Sequence, residues 1–147
     1  LDDDLAEGHY KVDGRSISLS ALQRPMFVVG TERDHVAPWR SVHKIHGLCG
    51  AEVRFVLTSG GHNAGIVSEP GHAHRSYRLL TREAGGPALD PDEWIARAPV
   101  QEGSWWIAWG AWLDEHSDAP VPPPPMGAAD RGYAPLQDAP GLYVLEH

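Results

Sequence analysis

Asp34 and His62 are the two residues whose types and placement could carry catalysis. Each follows a short apolar run: Met26-Phe27-Val28-Val29-Gly30 before Asp34, and Val53-Arg54-Phe55-Val56-Leu57 before His62. If the runs are neighbouring parallel strands, both side chains leave the carboxyl ends, where open α/β sheets gather catalytic groups. An imidazole takes up and returns a proton near neutral pH. A carboxylate beside it can orient the ring, or itself accept a proton from a second substrate. Gly60, Gly61 and Gly65 around His62 would allow a sharp turn that brings the ring into a pocket. By spacing alone the signal is weak. A loop aspartate capping the next helix and a solvated histidine fit the same residues equally well.

The elements around this pair read as follows. Residues 9–19 suggest two short strands joined by Asp13-Gly14, a dipeptide suited to a primed turn. Alternation of Val12, Ile17 and Leu19 with polar neighbours predicts one buried face. The run after Pro25 is continuous and apolar, the mark of a strand covered on both faces. Val42, Ile45, His46 and Leu48 allow a single helix from Trp39 to Cys49, ended by Gly50. Strand, helix and strand then make a right-handed βαβ unit. The fold class is α/β, the order of aspartate and histidine being that in which an α/β-hydrolase-like sheet ends. Residues 69–89 are rich in Gly, Pro and His and read as irregular. Asp90-Pro91-Asp92-Glu93 starts a helix, with cap, proline and glutamate in their preferred places. A second start at Gly103-Ser104 leads to a helix with Trp105, Trp109 and Trp112 on one face. Ala119–Pro125 should be an extended, polyproline-like linker.

Composition bounds the partners. The 147 residues are 41% hydrophobic and 22% charged, an ordinary globular balance. A net charge of −8 argues against nucleic acid. No apolar run approaches the roughly 18–20 residues of a membrane span, and no secretory signal opens the chain. The single Cys49 fits a reducing compartment, so the default expectation is cytoplasmic. The chain starts at Leu1 without methionine, and Leu145-Glu146-His147 reads like the start of an expression tag. Part of a larger protein is therefore expected to be missing: 1–118 as the end of a catalytic domain, 119–144 as a Pro/Gly-rich tail, 145–147 as tag remnant.

Three stretches carry a resemblance. Gly30-Thr31-Glu32-Arg33-Asp34-His35-Val36-Ala37-Pro38-Trp39 resembles the aspartate loop of polyhydroxyalkanoate (poly-beta-hydroxybutyrate) synthases. Arg54-Phe55-Val56-Leu57 with Ser59-Gly60-Gly61-His62-Asn63-Ala64-Gly65 resembles their histidine loop, and Gly103-Ser104-Trp105-Trp106 with Trp109, Trp112 and Leu113 their tryptophan-rich terminal segment. The resemblance implies an acyltransferase that polymerises (R)-3-hydroxyacyl-coenzyme A on a cysteine and releases coenzyme A. It makes His62 the base that activates the thiol and Asp34 the carboxylate that activates the incoming 3-hydroxyl. No cofactor is implied beyond the coenzyme A thioester substrate. Partners would be that substrate, the growing polyester, the missing N-terminal half and a second subunit, with the parent enzyme at the polyester granule surface. The family's Gly-x-Cys-x-Gly elbow has no match here, so this polypeptide alone is expected to be inactive.

Other residues read as structural. Cys49 suits a small hydrophobe at a helix end. His35 reads as a neighbour rather than a catalyst. The pairs His43/His46 and His72/His74 lack companion ligands for zinc. The tryptophan face reads as core, while Trp39, beside the aspartate loop, could line the pocket. Two other functions fit: an esterase or polyester depolymerase with a serine elbow, or a non-catalytic docking module. A cut parallel sheet would leave an unpaired edge, so self-association is expected.

Overall fold

The computed structural model describes residues 2–146, so Leu1 and the last residue of the expected tag, His147, lie outside the described residues. The chain divides into one unit up to His116 and another from Ser117 on.

The first unit is built on a four-stranded sheet of β3 (Met26–Thr31), β4 (Val53–Thr58), β5 (Ser76–Arg82) and β6 (Val100–Glu102), in that order. β3 and β4 run parallel, while β5 and β6 return antiparallel. The α/β class expected from sequence is present. β4 is covered on both faces because its alternate residues meet different partners. Val53, Phe55 and Leu57 pack toward α2 (Trp39–His43), α3 (Ile45–Leu48) and α4 (Pro91–Arg97), with Trp94 at the centre. Val56 faces the other way, toward Trp105 at the head of α5 (Trp106–Glu115), with Phe27, Val29, Tyr77 and Leu79 around it. Burial of side chains such as Phe55 contributes roughly 1.5–3 kcal/mol each. Gly30 lets α2 approach β3, because a Cβ there would sit 3.1 Å from the Trp39 Cβ.

Several local expectations are corrected. The hairpin of β1 (Lys11–Val12) and β2 (Arg15–Ser16) has positive φ at Asp13 (48°) and Gly14 (76°), as a primed turn requires. Its supposed buried face is open, however: Val12 and Ile17 are 46% and 41% exposed, since no second layer covers so short a ribbon. Ahead of the hairpin, Asp4 begins the one-turn helix α1 (Asp4–Glu7). β3 is only half-buried through Met26–Val29, because it is the sheet's edge and β4 is its sole neighbour among the described residues. The helix after Pro38 is two helices, and the second ends on extended Cys49 rather than on a left-handed Gly50. Residues 76–82, expected to be irregular, form β5 inside the sheet. α4 starts as expected, with the Asp90 carboxylate accepting from the Asp92 and Glu93 amides at 2.9 Å. In the second unit, Ser117–Pro125 is without regular structure, and short 3-10 turns occur at Ala129–Arg131 and Tyr143–Leu145.

Candidate active site

The parallel ladder extends beyond the strands it joins. Thr31 pairs with Thr58, then the Glu32 amide donates to the Thr58 carbonyl and the Arg33 amide to that of Gly60. The two loops thus leave the sheet side by side. His62 Nδ1 stands 2.9 Å from Asp34 Oδ2 and 3.2 Å from Oδ1.

Asp34 is held from several sides. Its Oδ1 accepts from the amides of Val36 (2.8 Å) and Ala37 (2.9 Å), and the Thr31 hydroxyl donates to Oδ2. The Ala37 amide has the largest effect on its acidity; burial opposes it, and His62, Val36 and Thr31 reinforce it. The carboxyl group is consequently held well below the usual carboxylate range. The Asp34 side chain is 7% exposed, whereas that of His62 is 48% exposed. An ionised carboxylate facing Nδ1 favours the proton on that nitrogen and leaves the lone pair on Nε2. Such a ring can act as a general base.

The histidine loop needs two of its three glycines. Gly60 has φ of 112°, and a Cβ there would lie 2.9 Å from the Gly65 backbone. A Cβ on Gly65 would lie 2.6 Å from Thr31 Cγ2. Gly61 meets only ordinary contact, at 3.6 Å from the Arg33 carbonyl. A cavity of about 190 Å³ adjoins the pair, with Val29, Val42 and Ile66 as an apolar wall. A larger one, about 290 Å³, lies toward the other end of β4, against His46, Arg82 and Trp94.

The remaining sequence candidates fall elsewhere. Cys49 is buried, with its Sγ–H directed to the Ile45 carbonyl, before the start of β4. His62 follows the end of that strand, a separation of roughly 17 Å along the strand axis at the usual rise. His35, His72 and His74 are exposed, and among the described residues no three His, Cys, Asp or Glu side chains converge as a metal site. His43 and His46 are buried, their rings 4.5 Å apart beside Phe55. Trp39 packs into the core against His43 and Trp94 and does not line the cavity beside Asp34. The tryptophan face is mixed: Trp105 is buried, but Trp109 is 39% exposed. Sequence reading missed the contributions of Thr31 and of the Val36 and Ala37 amides. An Asp followed two and three residues later by free amides was their available signal.

A carboxylate and an imidazole in hydrogen-bond contact thus stand at adjoining parallel strand ends of an α/β chain. No protein-family model matches the chain. It is 37% identical over 144 residues to the poly(3-hydroxyalkanoate) polymerase subunit PhaC of Rhizobium etli, covering 97% of this chain and 21% of that protein. The poly(3-hydroxyalkanoate) polymerase 2 of Ectopseudomonas oleovorans is 35% identical over 135 residues (92% and 23%). The PhaC subunit of Cupriavidus necator is 32% identical over 137 residues (93% and 22%). The chain matches a C-terminal part of poly(3-hydroxyalkanoate) polymerases. It spans about a fifth of the length of these curated relatives.

Proposed function

We propose that this chain supplies the base, and the carboxylate that orients it, to a thiol-dependent polyester synthase. The observation that carries the reading is the 2.9 Å contact between His62 Nδ1 and Asp34 at two parallel strand ends. The nucleophile is a cysteine of the parent enzyme outside these residues, because Cys49 is buried at the wrong end of β4 and no elbow surrounds it.

In the first half-reaction, His62 Nε2 removes the thiol proton. The thiolate attacks the (R)-3-hydroxyacyl thioester, the carbon–sulfur bond to coenzyme A breaks, and the proton passes to the departing thiolate. In the second, the 3-hydroxyl of another acyl unit gives its proton to the same nitrogen and attacks the enzyme thioester. The ester forms, and the proton returns to the released cysteine. Of the two roles open to Asp34, its hydrogen bonds favour orientation. A carboxylate this acidic and this fully engaged is a weak proton acceptor, but it holds the Nδ1–H tautomer and stabilises the imidazolium. The apolar wall of Val29, Val42 and Ile66 would receive hydrocarbon.

The test is coenzyme A release from (R)-3-hydroxybutyryl-coenzyme A. This chain alone should give none, and mixing it with the complementary N-terminal part should restore it. Asp34→Asn would present an amide to His62 Nδ1 and force the opposite tautomer, lowering kcat by about 10⁴-fold. Full activity in His62→Gln, or turnover by this chain alone, would overturn the proposal.

A further inference from the structure

The loop that carries His62 is bonded internally through the carbonyls of Gly61 and Asn63. The first accepts from the Gly65 amide, and the second from the amides of Ile66 and Val67. The carbonyls of Gly65, Ile66 and Ser68 are left for other partners. All three are taken by consecutive residues about 40 positions further along the chain. Trp105 Nε1 donates to the Gly65 carbonyl at 3.0 Å and Trp106 Nε1 to that of Ile66 at 2.9 Å. The Ser104 hydroxyl donates to the Ser68 carbonyl while accepting from the Trp106 amide.

Hydrophobic packing does not require this aim. Trp94 and Trp112, in the same unit, bury their Nε1 atoms without a partner among the described residues. The Trp105 and Trp106 rings are nearly perpendicular, at 84°, yet both direct their N–H groups to one loop. On its opposite side the loop presses Gly65 against Thr31, whose hydroxyl donates to Asp34. His62 therefore begins a turn wedged between the aspartate's strand end and the Ser-Trp-Trp segment.

We propose that Ser104, Trp105 and Trp106 are positioning residues, their side-chain donors fixing the 61–68 loop so that His62 keeps its bond to Asp34. This rests on the reading of His62 as the base, but it can be tested without turnover. Trp105→Phe and Trp106→Phe delete an N–H and keep an aromatic ring, and Ser104→Ala is a smaller change still. Trp109→Phe is the control, since Trp109 lies on the same helix and makes no hydrogen bond to the loop among those described.

In the ¹⁵N-labelled chain, the unaltered protein should show His62 with its proton on Nδ1. The Phe and Ala variants should show averaged ring nitrogens and about tenfold faster exchange of the 65–67 amides, as expected for loss of a loop hydrogen bond. Exchange in β4 should be unchanged. In the complemented enzyme the same variants should lower kcat with KM unchanged, whereas Trp109→Phe should match the parent. Unaltered ring signals in all three variants, or equal changes in Trp109→Phe, would overturn the clamp; should Trp105→Phe fail to fold, Trp106→Phe and Ser104→Ala decide. An active His62→Gln enzyme would instead refute the assignment of the base and leave the clamp standing on its exchange data.

Discussion

His62 and His46 are the same side chain in opposite settings. His62 has one nitrogen against an ionised carboxylate and its outer edge toward solvent. His46 is buried among Phe55, His43 and Arg82, and its Nε2 has no partner among the described residues. Burial pushes the His46 imidazole down to about 4, and repulsion from Arg82, and from His43 when it is protonated, acts in the same direction. Burial also lowers His43, against the pull of Asp90. Both rings are neutral in the folded chain at neutral pH. The unfolded chain takes up these protons first, so stability should be greatest above about pH 6.5 and fall as pH drops toward about 4. For His46 the loss is on the order of 3 kcal/mol, levelling off below its folded value. Urea midpoints across this range should show the decline, and His46→Leu should flatten it. A midpoint indifferent to pH in the unaltered chain would contradict the burial argument.

At the scale of elements, β5 shows why one strand escaped the sequence reading. Its residues on the α2–α4 side include Arg78 and Arg82, which look like solvent positions in a polar stretch. Both are instead spent on main-chain carbonyls. Arg78 bonds the Ile95 and Ala98 carbonyls near the end of α4, and Arg82 those of Cys49 (2.9 Å), Ala51 (2.7 Å) and Gly86 (3.2 Å). Removing the second guanidinium strands these acceptors at a buried corner. Arg82→Ala should cost about 2–4 kcal/mol in urea unfolding. The Asp34–His62 contact at the other end of β4 should keep its ring-nitrogen signals. Loss of those signals at unchanged stability would mean that the two ends are coupled. By contrast, α4 was legible because its start is written in four adjacent residues, Asp90 to Glu93. The same holds for the turn at Asp13-Gly14. The split of the helix after Pro38 had no comparable local mark.

For the first unit as a whole, β3 is the exposed consequence of its sheet order. It carries the chain leading to Asp34 and pairs on one side only among the described residues. Phe27 and Val29 are partly covered by the tryptophan side of the sheet, yet the strand's outer backbone edge remains a template for pairing. Sedimentation should detect self-association that rises with concentration and weakens when a lysine is placed on this edge. A compact monomer at high concentration would show the edge to be protected.

The residues of this chain by themselves determined whatever depends on short segments: two apolar strands, the loops following them, the capped helix, and the order of aspartate before histidine. Those signals survive because each is completed within a few positions. Tertiary structure alone decided that Asp34 is engaged by two amides and a hydroxyl, that a buried arginine belongs to a strand, and which way the indole N–H groups point. Hydrogen-bond direction and burial are properties of groups brought together from distant positions, and no local pattern specifies a partner some 40 residues away.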